Sequence, residues 1–407
     1  MKNFKIYFTI IFFSLIFFSY ISEAYLVLND YYTIGGKQYY LRDVDRKKKI
    51  YKEETGKIYD ERSFSTAFRE ESLKFKNLSL NYPPYFATNS DVLYLSGVSN
   101  STTMICNENG YFSFIESDRY GFNNPDKEWN NEEFEFILIG DSITFGQCVN
   151  RPNDIASVLR KLSNKPVLSL GYPGNGPLTE YAILREYLPK KVKNIIWIFH
   201  DNDFGDLSSE KNKKKLAEYL TNKKDFSNNL KEKQNKIDIF LKTKKNSILT
   251  NSEIQASYWN NYYSFKKKTL RFFRLDKFKK FVNNIFYTNN SDNITINNKL
   301  NDFREISMLF KELAAKNNSN LYFVYIGDHE HYKSYINRKF DISYINSPAR
   351  EIVKIIRDLN IPIIDTHNDF FKKESDLLAY FPFRSRGHYN VLGYKKITEF
   401  IFSKINY

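Results

Sequence analysis

From Phe134 onward, short apolar runs alternate with stretches whose apolar residues recur at helical spacing. The runs predict strands at Phe134–Ile139, Val167–Leu170, Ile195–Phe199, Leu321–Ile326 and Ile361–Ile364. The periodic stretches predict helices at Asp154–Leu162, Leu178–Leu188, Leu300–Lys316, Pro348–Leu359 and Val391–Ile405. Strands separated by helices make βαβ units, so the expectation is an α/β domain with a parallel sheet covered on both faces. Between Leu207 and about Leu300 the rhythm lapses. Helical patches such as Leu230–Leu241 remain there without a strand of equal quality, which predicts a helical insertion that caps the site or projects from it.

The N-terminus has a different pattern. Met1-Lys2-Asn3-Phe4-Lys5 is basic, and Ile6 to Ser22 carries no charge; Glu23 interrupts before Ala24 to Leu28 resume. The uncharged stretch is at the lower edge of the roughly 17–25 residues that span a bilayer. Residues 1–28 therefore read as a signal anchor or a signal peptide, with Ser22 and Ala24 placed as the −3 and −1 positions of a cleavage site. On either reading the remainder is exported: membrane-anchored with its main domain on the periplasmic or extracellular side, or secreted after cleavage. The leading lysines keep the extreme N-terminus in the cytoplasm.

Residues 29–130 are polar and tyrosine-rich, with turn signals at Gly35-Gly36, Pro83-Pro84 and Asn123-Asn124-Pro125. The first part, through Arg46 to Lys49, reads as a linker. The segments Cys106-Asn107-Glu108-Asn109-Gly110-Tyr111 and Ser117-Asp118-Arg119-Tyr120-Gly121-Phe122 read as hairpin or loop structure leading into a domain over 131–407.

Composition changes this picture in two places. The net charge of +14 is concentrated between Lys211 and Lys280, in runs such as Lys213-Lys214-Lys215 and Lys266-Lys267-Lys268. Such runs either form the solvated face of a helical insertion or attract an anionic surface. No nucleic-acid motif accompanies them, so no nucleic-acid partner is expected. The only two cysteines, Cys106 and Cys148, stand in an exported chain. They form either a disulfide, favoured by an oxidising compartment, or two separate buried thiols.

The chemistry collects at strand ends. Gly140-Asp141-Ser142 closes the first strand, with Thr144 and Gly146 beyond it. In open parallel sheets the crevice past the carboxyl ends is where ligands bind. A serine there can be a nucleophile if a base and oxyanion donors converge on it. The second strand runs into Gly171-Tyr172-Pro173-Gly174-Asn175-Gly176-Pro177, and the third into His200-Asp201-Asn202-Asp203. Arg386-Gly387-His388-Tyr389-Asn390-Val391-Leu392-Gly393 precedes the last helix.

Taken in order, these four segments resemble the sequence blocks of the SGNH (GDSL-type) hydrolase superfamily over about Phe134 to Tyr407, apart from the insertion. The resemblance implies a three-layer α/β/α, flavodoxin-like fold. It implies Ser142 as nucleophile and His388 as general base, with the Ser142 and Gly174 backbone N–H groups and the Asn202 amide as oxyanion donors. Asp203 would brace its loop and His200 would line the site at most. Asp141 supports the motif, and an extended strand would aim its side chain at the opposite face from Ser142.

The sequence departs from the family before the histidine, where an aspartate usually stands two or three residues upstream; here those positions hold Arg386 and Ser385. Three readings stay open: a Ser142–His388 dyad, a substitute acid such as Asp365 or Asp328, or weakened activity. Asp328-His329-Glu330-His331 lacks a third ligand at recognisable zinc spacing and reads as surface polarity. No metal or cofactor is called for. The expectation is an exported serine esterase acting on ester, principally O-acetyl, groups of an envelope or extracellular polysaccharide. Lipid and other small esters remain open as substrates. The alternatives are an O-acyltransferase using the same site and a catalytically impaired carbohydrate-binding or assembly factor.

Overall fold

The computed structural model describes residues 2–32, 37–82, 92–221, 226–262, 265–286, 291–327, 329, 332 and 348–405. Two compact units emerge: Ile58–Ile248 with Ile296–Tyr407, and Met1–Lys57 with Leu249–Thr295.

Among its described residues the larger unit carries two sheets. Strands β1 (Leu78–Leu80), β2 (Thr102–Met104) and β3 (Phe114–Glu116) form a small mixed sheet, with β1 parallel and β3 antiparallel to β2. Strands β4 (Phe134–Gly140), β5 (Val167–Ser169), β6 (Val192–His200), β7 (Asn320–Ile326) and β8 (Ile363–Asp365) form an all-parallel sheet of order β5-β4-β6-β7-β8. Chain order runs outward from β4 to β5 on one side and to β6, β7 and β8 on the other. The switch in strand order falls between β4 and β6, where open parallel sheets leave a crevice beyond the carboxyl ends.

Alternation along the strands explains why both faces are covered. Phe136, Leu138, Ile196, Ile198 and Val324 pack with Ile155 and Leu159 of one helix (Ile155–Ser163) and Ile397 and Ile401 of another (Val391–Lys404). Trp197, on the other face, stacks on Phe310 of helix Ser291–Lys316 at 4.1 Å between ring centroids, and its indole N–H donates to Glu180 of helix Pro177–Tyr187 at 2.7 Å. Buried strands that are apolar on both faces read as continuous hydrophobic runs, and these do. The interval expected as an insertion contains helices Gln234–Tyr262, Phe265–Phe273 and Asp276–Phe286, with no strand among its described residues. Its later part, from Leu249 to Thr295, belongs to the smaller unit.

In the smaller unit, helix Lys2–Tyr32 includes Phe4–Leu28, the one described helix long and apolar enough to cross a membrane by length and composition.

Candidate active site

Strand β4 stops at Gly140. A Cβ at that position would lie 2.2 Å from Thr144 Oγ1 and 2.4 Å from the Ile198 carbonyl oxygen, and φ is +156°, so only glycine fits. The chain turns there, and Ser142 opens the four-residue helix Ser142–Phe145. Its Oγ lies 3.0 Å from His388 Nε2. His388 is set by the helix that follows: Asn390 caps Val391–Lys404, its Oδ1 accepting from Gly393 N–H at 2.9 Å while its Nδ2 donates to the Ala379 carbonyl at 2.8 Å. A side-chain cap of this kind fixes where the chain enters the helix.

The group facing the far nitrogen of His388 is Glu108. Its Oε1 and Oε2 lie 3.1 and 3.2 Å from Nδ1, and Oε2 also accepts the His388 backbone N–H at 2.5 Å. The acid comes from upstream of the serine, and of the two suggested substitutes only Asp365 lies among the described residues. The Asp365 carboxylate instead caps helix Thr366–Asp369, accepting from Asn368 N–H at 3.0 Å and from Asn368 Nδ2 at 2.5 Å. Asp328 lies outside the described residues, as do Glu330 and His331.

Glu108 sits in the loop that joins β2 to β3, and several contacts hold that loop. A disulfide joins Cys106 to Cys148, with Cα atoms 5.2 Å apart. Asn109 Nδ2 donates to the Cys148 carbonyl at 2.9 Å, and Phe114 N–H donates to Asn150 Oδ1 at 2.9 Å. Gly387 completes the fit, since a Cβ there would meet Glu108 Oε2 at 2.7 Å. That glycine, beside a histidine lacking its upstream aspartate, was the available signal that a foreign carboxylate approaches the backbone.

Asp141 overturns the expectation from strand alternation. With β4 broken at Gly140, its carboxylate turns into the site. Oδ1 accepts from Gly174 N–H at 2.5 Å and Asn175 N–H at 3.2 Å, Oδ2 accepts from Asn202 Nδ2 at 2.8 Å, and Ser142 Oγ is 3.5 Å from Oδ2. A negatively charged oxygen pair thus occupies the point where Gly174 and Asn202 converge beside the serine.

The loops carrying these donors are held from beneath. Gly174 is left-handed, with φ +86°. Two residues on, buried Glu210 accepts from Gly176 N–H at 2.7 Å, Leu178 N–H at 3.0 Å and Thr179 N–H at 3.2 Å, and so caps helix Pro177–Tyr187 from helix Asp201–Lys211. Asp203 reaches back to accept the His200 backbone N–H at 2.7 Å, half of a capping box, which braces the Asn202 turn. The His200 ring also has a part: its Nδ1 meets Asn202 Oδ1, leaving the Asn202 amino group toward Asp141. Sequence reasoning missed Glu108, Glu210, the Asn175 N–H and this use of His200.

Electrostatics follow from burial. Desolvation, then repulsion among neighbouring acids, pushes Glu180 and Asp203 well above the usual carboxylate range and Asp206 up to about 6. Burial alone would lower His388, but the charge and hydrogen bond of Glu108 and the charge of Asp141 outweigh it and raise the ring above 6.5. Ligand atoms of Glu108, Cys148 and His388 lie within 4.8 Å of one another, yet Cys148 is oxidised and has no thiolate to offer a metal.

The structure thus brings Ser142, His388, Gly174, Asn202 and Asp141 together and places Asp203 beneath them, whereas Asp365 serves elsewhere. No family model matches the chain, and no curated protein matches it in sequence.

Proposed function

We propose that the protein is a serine ester hydrolase of the SGNH kind, with Ser142, His388 and Glu108 as its triad. The observation that carries this reading is the unbroken relay from Glu108 to His388 Nδ1 and from His388 Nε2 to Ser142 Oγ, beside donors already gathered around an anion. Ser142 Oγ attacks the acyl carbonyl carbon and its proton passes to His388 Nε2. The carbonyl oxygen becomes an oxyanion and takes the donors now bound to Asp141, together with the Ser142 N–H. His388 returns the proton to the departing alcohol, and water repeats the sequence on the acyl-enzyme, releasing acid and free serine. Glu108 holds the ring with its proton on Nδ1 and stabilises the imidazolium. No step needs a metal.

The finer fold, a three-layer α/β/α sandwich of flavodoxin-like order, is supported by the strand order and by the helices packed on both sheet faces. The apolar N-terminal helix supports a domain held outside the cytoplasm, and from that location we read the substrate as an O-acylated envelope or extracellular polysaccharide. The domain reading kept here is a spanning segment, an upstream region that lends Glu108, and a hydrolase-like domain.

A second reading has one observation in its favour. The Asp141 carboxylate fills the donor cluster, and a protein that never vacated it would bind acylated sugars without turning them over. A fluorophosphonate probe on the full chain separates the two. The hydrolase reading expects labelling that disappears in Ser142→Ala and weakens strongly in Glu108→Gln. Intact protein that takes no Ser142-dependent label would establish the binding reading instead.

A further inference from the structure

We propose that Phe265–Phe286 forms a basic, aromatic collar seated in the head-group layer of an anionic phospholipid bilayer, docked on an N-terminal helix that is retained. Three observations within the smaller unit carry this.

The first is a fixed depth. Lys5 and Glu23 are eighteen residues apart on one helix, about 27 Å at 1.5 Å per residue. That matches the roughly 30 Å hydrocarbon core of a bilayer. With Lys5 at the cytoplasmic interface, Glu23 reaches the opposite one.

The second is what Glu23 does there. A carboxylate in an apolar membrane segment is expensive and marks a specific contact. Glu23 is fully buried, and its oxygens accept from the backbone N–H groups of Lys277 at 3.2 Å and Phe278 at 2.6 Å. It therefore caps the first turn of helix Asp276–Phe286, where negative charge is favoured. Tyr20, one turn earlier, donates its hydroxyl to the Phe273 carbonyl at 3.0 Å and places its ring 5.9 Å from that of Phe272. These bonds, from Tyr20 ahead of Ser22 and from Glu23 between Ser22 and Ala24, join the collar to the part of the helix that a cut after Ala24 would remove, which makes residues 1–28 part of the folded unit rather than a removable leader.

The third is the collar's surface. Residues 265–286 hold eight lysines and arginines against one acid, Asp276. Between the charges, Leu270, Phe273 and Phe281 stand 41%, 63% and 49% exposed. Apolar rings beside lysines, level with the end of a spanning helix, fit an interface whose acyl boundary takes the rings and whose phosphates take the charges.

The experiment uses the full chain in vesicles of phosphatidylcholine with or without phosphatidylglycerol. Both native cysteines are in the disulfide, so a nitroxide can be placed selectively at Phe273→Cys, Phe281→Cys or Lys279→Cys. Lys279 lies about half a turn round the helix from Phe281. At 273 and 281 the label should be more accessible to oxygen than to a water-soluble nickel complex, at 279 the reverse, and the contrast should grow with phosphatidylglycerol. Equal nickel accessibility at all three sites overturns the collar. Immersion indifferent to phosphatidylglycerol overturns its anionic specificity, and an intact mass showing cleavage after Ala24 overturns retention. None of these readings depends on catalysis, so their failure is separable from failure of the esterase proposal.

Discussion

The two sides of the proposed active site, the oxyanion donors and the proton relay, are held by different kinds of contact. Gly174 and Asn202 stand at the carboxyl ends of β5 and β6, next to Ser142 at the end of β4, and the parallel register delivers all three to one place. Within that side the bonds are dense and short, centred on Asp141 and underpinned by Glu210. The relay side draws on distant parts of the chain: His388 comes from the loop before the last helix, and Glu108, 280 residues earlier, from the loop joining two strands of the small sheet. A disulfide and a few loop hydrogen bonds hold that acid in place. Donor geometry should therefore survive local insults that the relay does not.

The most severe way to test the comparison is to remove the atoms both sides serve. Ser142→Ala or His388→Ala should lower kcat by on the order of 10⁶, with the double variant no worse than either. Full additivity in steady-state kinetics would show that the two do not act as a unit.

Glu108→Gln addresses the relay alone. It should cost on the order of 10⁴ in kcat with little change in KM, as when a triad acid is neutralised. It also has a pH signature. A base must be neutral to act, and His388 is raised above 6.5, so activity should climb with pH through a midpoint above that value. Removing the Glu108 charge should move that midpoint to lower pH, while Asp365→Asn should leave it in place. A profile that shifts with Asp365 and not with Glu108 would assign the acid differently.

Asn202→Ala cuts one donor on the better-braced side and should cost about 10²–10³ in kcat. Breaking the Cys106–Cys148 bridge should do less to the chemistry than Glu108→Gln, because the carboxylate remains present. It releases a 42-residue loop, worth about 4 kcal/mol in the chain-entropy account, readable as a lower denaturation midpoint. Loss of activity upon reduction that exceeds the loss in Glu108→Gln would show the bridge acting beyond the relay.

The smallest effect concerns stability. His388 gains its positive charge more easily folded than unfolded, so the pair with Glu108 contributes fully below pH 6.5 and fades as pH rises through the folded value. The Tm gap between the natural protein and Glu108→Gln should narrow over that rise.

How much of this was legible follows the same division. The five strands of the parallel sheet were visible because each is a short apolar run bounded by turns; the end of the first pointed to Ser142, and the resemblance to the SGNH blocks singled out Gly174 and Asn202 in the loops after the next two. Asp141 was misplaced because alternation was carried one residue past Gly140, where the backbone leaves the extended form. Glu210 was invisible, being one acid on a helix, and only packing turns it toward the first N–H groups of the preceding helix, Pro177–Tyr187.

Hydrophobic periodicity and turn residues are properties of neighbours along the chain, so the amino-acid string alone determined the parallel sheet, its order of helices and the three loops that meet at its edge. It also determined that a histidine would follow them. Which carboxylate turns that histidine's ring was decided only in three dimensions. Glu108 and His388 share no local pattern, and they meet because a hairpin, a disulfide and a missing side chain at Gly387 leave that one approach open.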